Sequence, residues 1–373
     1  MTDRLPALDL LRSIAIVWVM LFHSFVVGGL GADWEWLSRY GWMGVDLFFV
    51  LSGFLIGTQV LEPLSRGERL GLGEFYMRRA LRILPAYWAV LLLYVLVPAV
   101  READGMESWW KFATFVLNLD IDYATNATFS HAWSLCVEEH FYWLFPLVAI
   151  AVLQRPSRRT FALLCFALVL GGIALRTAYW IHDTTTAAGL GRNWFVEDIY
   201  YPTWNRLDGL LCGVLLAAWK TRLPQSWARA RHHANVCTVA GAGALALAFW
   251  LFRDRVGLLG NSIGWPILSL SMGLFVFAAA GRDSLLGRAG SPLAGWLSAI
   301  SYSLYLVHKS MYHVVQVQWG PWLATHPSVA FVAYGSSAIA AGALLHYVVE
   351  RPCLQLRRRL LHRPRAPQAP FTA

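Results

Sequence analysis

Long apolar segments recur along nearly the whole of this 373-residue chain, and they restrict the fold more than any other feature. A helix rises about 1.5 Å per residue, so roughly 20 residues are needed to cross a hydrocarbon core of about 30 Å. The chain is therefore predicted to be an all-α, polytopic membrane bundle of about ten transmembrane helices. Apolar runs close to the required length lie at 8–27, 42–61, 83–100, 131–153, 160–181, 204–219, 235–252, 262–280, 296–318 and 327–349.

The amino-acid composition also indicates a bilayer environment. Hydrophobic residues make up 57% of the chain and charged residues only 14%, which leaves too little polar surface to cover a water-soluble domain. The chain has 19 tryptophans, many of them at the ends of predicted spans, where an amphipathic ring suits the headgroup layer. The five cysteines contain no CxxC pair, so neither a disulfide framework nor a metal site is predicted.

The distribution of Lys and Arg between alternate loops predicts the orientation in the membrane. One set of loops, together with both ends of the chain, carries 21 of these residues, whereas the other set carries 6. The positive-inside rule then places both termini in the cytoplasm of a multi-pass inner-membrane protein. Topology explains the net charge of +9, and no nucleic-acid partner is predicted. We divide the chain into a transmembrane domain, 1–350, and a basic cytoplasmic tail, 351–373, that would lie against anionic lipid.

Arg12 and His23 give the first predicted span an unusual polar stripe. They are eleven residues apart, which on a helix returns to within about 20° of the same face and separates them by about 16 Å along the axis. Ionisable groups inside a membrane are costly unless they face a polar cavity, so each marks a candidate site. A lone His on an apolar helix is more often a satisfied core residue, but an Arg on the same stripe favours a functional reading.

Glu138, in the fourth predicted span, is expected at nearly the same depth as His23. It follows Trp133 by five residues, which places it about 7 Å below the outer boundary. A carboxylate at that level could orient the imidazole of His23 and raise its basicity. We therefore predict His23 and Glu138 as catalytic residues.

Further charges enter the membrane from the outer side, and two interpretations of them stay open. Asp46, Arg206 and Asp208 are candidate substrate-binding or supporting residues. The alternative is that Arg206 pairs with Asp208 or Asp46 and only holds helices together. For Arg176 and Lys309 the alternative is snorkelling of the side chain toward the membrane surface.

The segment FYMRRALRILP clusters Arg78, Arg79 and Arg82 at the predicted cytoplasmic entrance of the third span. Positive-inside topology accounts for part of this cluster, but neighbouring guanidinium groups also bind phosphate. Arginines at the inner face and a histidine near the outer face suit a long donor with a phosphorylated head and an extended reactive arm. Coenzyme A thioesters have that shape.

At these residues the sequence resembles the acyltransferase 3 family of membrane acyltransferases. The resemblance extends from residue 8 to 352, and the order and spacing of its motifs are specific. The motifs are LDLLRSIAIVWVMLFH, GVDLFFVLSGFLIG, RRALRILP, WSLCVEEHFYWLFP, NRLDGLLCG, ISYSLYLVH, which ends at His308, and VVERP.

The resemblance implies transfer of an acyl group, commonly acetyl, from cytoplasmic acyl-CoA (acetyl-CoA) to a hydroxyl of a cell-envelope carbohydrate or lipid-linked glycan. It implies that His23 is the catalytic histidine, that Arg12 helps to place the coenzyme, and that His308 is a supporting residue. The three arginines of the third span would then lie near the phosphates. In the mechanism we expect, Glu138 orients His23, and Ser52 or a cation in a span stabilises the oxyanion. A covalent acyl-histidine intermediate would need the same residues.

A secondary transporter or flippase is the strongest competing class, because ionisable residues in spans also serve as proton relays and substrate gates. That class predicts no cofactor site at the inner face, and the spans show no inverted repeat. A non-enzymatic scaffold is disfavoured, because a structural bundle would rarely retain so many buried charges.

Overall fold

The structure of the protein, a computed structural model, describes residues 5–153, 158–186 and 191–361. Residues 362–373 of the predicted tail, and Arg4 and Arg155 of the charge count, lie outside the described residues. The longer helices are α1 Pro6–Phe22, α2 Met43–Ser65, α3 Leu72–Leu96, α4 Trp133–Leu153, α5 Arg158–Thr186, α6 Leu207–Arg222, α7 Ala234–Leu251, α8 Trp265–Ala279, α9 Pro292–Leu323, α10 Pro327–Leu345 and α11 Arg351–Leu361.

The predicted fold class is confirmed: the described part of the chain is a polytopic helical bundle without strands. The count of about ten spans is not confirmed, because within residues 5–153, 158–186 and 191–361 eight helical segments are long and apolar enough to cross a membrane. The predicted spans at 204–219 and 296–318 correspond to α6 and α9, which are not among the eight. The eight are Pro6–Val27, Glu35–Ser65, Leu72–Leu96, Ser130–Val152, Leu163–Thr186, Ala234–Leu251, Gly260–Ala279 and Pro327–Leu361.

The helices at these two predicted spans, α6 and α9, are not among the eight for separate physical reasons. Helix α6 has 16 residues and so rises only about 24 Å, less than a typical hydrocarbon core. Helix α9 has 32 residues, but it buries polar side chains that include Ser303, His308 and Lys309. These polar groups face the interior of the bundle, where the site lies.

Close helix packing fixes the position of the candidate residues. A Cβ atom added at Gly53 of α2 would lie 2.1 Å from the carbonyl oxygen of Leu210 in α6, so only glycine allows this approach. Helix α9 is tied to α1 at two levels, where Tyr312 donates to the Met20 carbonyl (3.2 Å) and Ser13 donates to the Ala294 carbonyl (2.7 Å). The α1–α9 contact places His308 opposite His23.

Candidate active site

Three histidines from distant parts of the chain meet in one cluster. Helix α1 ends at Phe22, and His23 begins a 3-10 turn, His23–Val27. His308 projects from α9, and His131 lies in the short turn Ser130–Ala132 that precedes α4. The ring centroids are 4.9 Å apart for His23 and His308, 5.2 Å for His131 and His308, and 6.1 Å for His23 and His131. Among the described residues, no group of three metal-ligand side chains is placed to hold a metal ion.

The hydrogen bonds of this cluster determine which nitrogen of His23 is free. Nδ1 of His308 lies 2.7 Å from the Tyr305 carbonyl, which only accepts, so Nδ1–H must donate. In the neutral ring, Nε2 of His308 is then an acceptor, and it lies 2.8 Å from Nδ1 of His23. His23 therefore donates its Nδ1–H to His308, and its Nε2 keeps the lone pair. This is the tautomer that a general base needs.

His131 packs between the hydrogen-bonded pair His23 and His308, called the dyad below, and a buried ion pair. Its Nε2 lies 3.3 Å from the Leu306 carbonyl, and its Nδ1 lies 3.9 Å from Oε1 of Glu102. The same Glu102 oxygen lies 2.8 Å from Nζ of Lys309, with both side chains buried. Burial alone would raise the pKa of Glu102, but the Lys309 ammonium and hydrogen bonds bring it below its ordinary value. Lys309 is therefore paired inside the protein and does not snorkel.

Breaking this pair is expected to destabilise the protein. Lys309→Met leaves the Glu102 carboxylate buried without a counter-ion, and loss of one partner of a buried pair costs about 3–5 kcal/mol. The free energy of unfolding in lipid nanodiscs measures this loss. The double variant Lys309→Met/Glu102→Gln should recover most of it, and a double variant as unstable as the single one would contradict the pairing.

The same pair predicts how stability changes with pH. The pKa of Glu102 is lower in the folded protein than its ordinary value of 4.5. The pair therefore makes its full contribution to the free energy of unfolding above pH 4.5. This contribution is lost as the pH falls through the lower pKa of Glu102 in the folded protein. Glu102→Gln should remove this part of the acid dependence, which an unfolding series across the acidic range would detect.

An arginine-lined cavity lies between α1, α2, α3, α4 and α9, with about 860 Å³ of space that includes its opening to solvent. Arg12, Arg79 and Arg82, three of the residues predicted to bind the donor, line it. Arg78 does not line the cavity, because it pairs with Glu74 one turn earlier on the exposed side of α3. The structure thus brings together three of the four predicted arginines.

The cavity arginines retain free hydrogen-bond donors. Within the described ranges, Arg12 has no carboxylate within 4.0 Å. Arg79 donates to the side chain of Gln59 at 3.3 Å, and Arg82 lies 3.9 Å from Glu350. Guanidinium groups with unused donors in a concave site are suited to bind phosphate oxygens.

The position of Glu138 corrects one predicted role. Glu138 lines the arginine cavity and accepts hydrogen bonds from Ser52 (2.7 Å) and Tyr142 (3.0 Å). The partner of His23 is His308, so Glu138 does not orient the imidazole, and the proton of Ser52 is donated to a carboxylate. Seven residues separate His131 from Glu138, which puts them on nearly the same helix face but about two turns apart. The expected match in depth between Glu138 and His23 therefore does not bring these two side chains into contact.

Tyr305 and Ser134 join the cavity to the histidine cluster. Both line the cavity, and their hydroxyl oxygens are 2.7 Å apart. The Tyr305 hydroxyl donates to the His131 carbonyl, while its own carbonyl accepts from His308. Tyr305 therefore bridges the cavity and the dyad, because it lines the first and accepts a hydrogen bond from the second. Neither Tyr305 nor His131 was singled out from the sequence, although Tyr305 lies within the motif ISYSLYLVH and His131 lies two residues before the motif WSLCVEEHFYWLFP.

The remaining predicted site residues form two buried ion pairs away from the cavity. Arg206 pairs with Asp46 at 2.8 Å, and its guanidinium carbon lies 3.9 Å from the centre of a Trp265 ring. Arg176 pairs with Asp208 at 2.7 Å and also donates to backbone carbonyls. The helix-holding interpretation therefore fits both pairs, with Asp46 and not Asp208 as the partner of Arg206.

Comparisons with known proteins find a family profile and several relatives that this chain matches. The sequence profile of the acyltransferase 3 family, described as an acyltransferase domain, matches residues 5–347. The O-acetyltransferase OatA of Staphylococcus aureus is 30% identical over 329 residues, covering 82% of this chain and 50% of the relative. A putative O-acetyltransferase of S. aureus strain COL is 26% identical over 336 residues, with the same coverage. The chain thus spans about half the length of these relatives. No solved structure matches.

Proposed function

Because the chain belongs to the acyltransferase 3 family, we propose that it transfers an acetyl group from cytoplasmic acetyl-CoA to a hydroxyl of a cell-envelope carbohydrate or lipid-linked glycan. One observation carries the proposal: His23 and His308 are hydrogen-bonded beside a cavity lined by arginines, and the tautomer argued above leaves a lone pair on Nε2 of His23. The names of the relatives, which are O-acetyltransferases, favour acetyl as the group that is moved.

In the proposed reaction, Nε2 of His23 accepts the proton of the acceptor hydroxyl while the hydroxyl oxygen attacks the thioester carbonyl. The carbonyl carbon gains a C–O bond and loses its C–S bond, and the proton held by His23 passes to the departing thiolate. The products are an O-acetyl ester and the free thiol of coenzyme A. Attack by Nε2 itself, which would give an acetyl-histidine, uses the same lone pair.

The donor would lie in the arginine cavity with its phosphates against Arg12, Arg79 and Arg82. Its thioester end would point to Tyr305 and Ser134, which separate the cavity from the dyad. This arrangement agrees with the predicted topology, in which Arg12 is near the cytoplasm and His23 is near the outer face. Cytoplasmic termini, an inner-membrane location, and a division into 1–350 and 351–373 belong to the same proposal.

Loss of a cavity arginine is expected to weaken donor binding. Charge-assisted hydrogen bonds contribute about 1.5–3 kcal/mol, so Arg12→Gln or Arg79→Gln should raise the Kd for acetyl-CoA about 10- to 100-fold. Binding of radiolabelled acetyl-CoA to the purified protein in nanodiscs measures this change.

Arg78→Gln is the matched control, because Arg78 lies next to Arg79 on α3 but outside the cavity. Its Kd should stay within about twofold of the wild-type value. A folded wild type that binds no acetyl-CoA, under conditions where a related acyltransferase binds it, would favour a transporter or flippase instead.

A further inference from the structure

Two arginines lie against the ring of Tyr200, and only one of them has a counter-ion. The guanidinium carbons of Arg206 and Arg255 are 4.5 Å and 4.7 Å from the ring centre. Arg206 pairs with Asp46. Within the part of the chain that the structure describes, Arg255 has neither a carboxylate within 4.0 Å nor a side-chain hydrogen bond.

Aromatic rings surround Arg255, which lies in the loop between α7 and α8. Its guanidinium carbon is also 5.1 Å from the centre of the Phe22 ring, 5.0 Å from that of Trp42 and 5.5 Å from that of Phe195. Ring faces attract the cation but are only weak acceptors for its N–H groups. The Nε atom is buried without a partner. Unused charged donors in such a setting suit an anionic ligand.

This arginine is close to the catalytic histidine. The Phe22 ring, which Arg255 contacts, has its centroid 5.2 Å from that of His23. Arg255 does not line the arginine cavity, which approaches the dyad through Tyr305. The dyad therefore has a donor cavity on its Tyr305 side and a second, unpaired cation on its Phe22 side.

We infer that Arg255 binds an anionic group, a carboxylate or a phosphate, on the hydroxyl acceptor. The inference rests on the proposed function and narrows its substrate class: the acceptor is an anionic glycan or a phosphorylated polyol, not a neutral one. If the donor fills the arginine cavity, the acceptor must reach Nε2 of His23 from elsewhere, and Arg255 provides a fixed positive charge beside that approach. Arg255 neither lines the arginine cavity nor hydrogen-bonds to His23, so it would act as a specificity residue and not as a catalytic one.

Acceptor kinetics provide the first test. Arg255→Gln should raise the KM for the envelope acceptor by about tenfold or more and leave the KM for acetyl-CoA unchanged. Arg255→Lys, which keeps the charge, should fall between wild type and Arg255→Gln. Arg253→Gln, an exposed arginine of the same loop, should stay within about twofold of wild type. An acceptor KM for Arg255→Gln equal to that of Arg253→Gln would overturn the inference.

Chemical labelling provides a second test that needs no turnover. Phenylglyoxal modification of Arg255 in the wild-type protein, followed by peptide mass spectrometry, should be slowed by methyl glucuronide or glycerol 3-phosphate. The neutral partners of these probes, methyl glucoside and glycerol, should give no protection, and Arg253 should react equally in all four.

The labelling result separates this inference from the proposed function. Protection by the glucuronide alone would identify a carboxylate site, and protection by the glycerol phosphate alone would identify a phosphate site. Equal labelling with charged and neutral probes would overturn the inference even if acetyl transfer is observed. Protection in a protein that transfers no acetyl group would support the anion site and reject the transferase.

Discussion

Replacing His23 by alanine is expected to lower the rate constant of acetyl transfer by about two to four powers of ten. In the neutral dyad, the bond to His308 leaves Nε2 of His23 as the nitrogen with a free lone pair. The Kd for acetyl-CoA should stay within about twofold of wild type, because His23 does not line the arginine cavity. Single-turnover release of the thiol, measured with an envelope acceptor, gives the rate, and equilibrium binding gives the Kd.

His131→Gln is a matched control for this variant. It alters a ring of the same cluster that forms no hydrogen bond to His23 or His308, so its rate should stay within about tenfold of wild type. Equal losses for the two variants would show that the cluster has only a structural role. A radiolabelled acetyl group that stays on the wild-type protein in the absence of acceptor, but not on His23→Ala, would favour the acetyl-histidine route.

The helical fold could be predicted because it depends on a local property. A bilayer requires each crossing segment to satisfy its own backbone, so apolar length alone identifies a helix, as at 42–61 and at α2. The span count was less predictable. A bundle interior accepts a short helix such as α6, or a polar one such as α9, which no longer resembles a helix that faces lipid.

Part of the candidate site could also be predicted from helix geometry. Arg12 of α1 lines the arginine cavity, and Arg79 and Arg82, three residues apart, line it from one face of α3. Distances along a helix are easily counted, but the depth at which each helix enters the bundle is not. That uncertainty led to the wrong assignment of Glu138 as the partner of His23.

Long-range partners were the least predictable feature. Most buried charges are paired with a counter-charge, but composition does not say with which one. Arg206 and Asp208 are only two residues apart at the start of α6, and side chains with that spacing point in nearly opposite directions, so each finds a partner elsewhere. His23 and His308 are 285 residues apart and meet only because α1 packs on α9.

Replacing His308 by leucine is expected to slow acetyl transfer by about two to three powers of ten. Without the acceptor nitrogen of His308, nothing holds the proton of His23 on Nδ1, and the ring can move that proton to Nε2. In part of the molecules, Nε2 of His23 would then carry the proton and could not act as a base. In all of them, the His23 ring would lose the hydrogen bond that fixes its orientation. His308 therefore acts as a positioning residue.

His308→Gln tests the direction of the hydrogen bond. A glutamine oxygen can accept from Nδ1–H of His23, so this variant should be at least about tenfold faster than His308→Leu, with the same Kd for acetyl-CoA. ¹⁵N NMR of labelled histidine should show the Nδ1–H form of His23 in wild type and a mixture of both forms in His308→Leu. Equal rates for the two variants, or an Nε2–H form in wild type, would reverse the proton assignment. His23 would then accept from His308, and its Nε2 could not serve as the base.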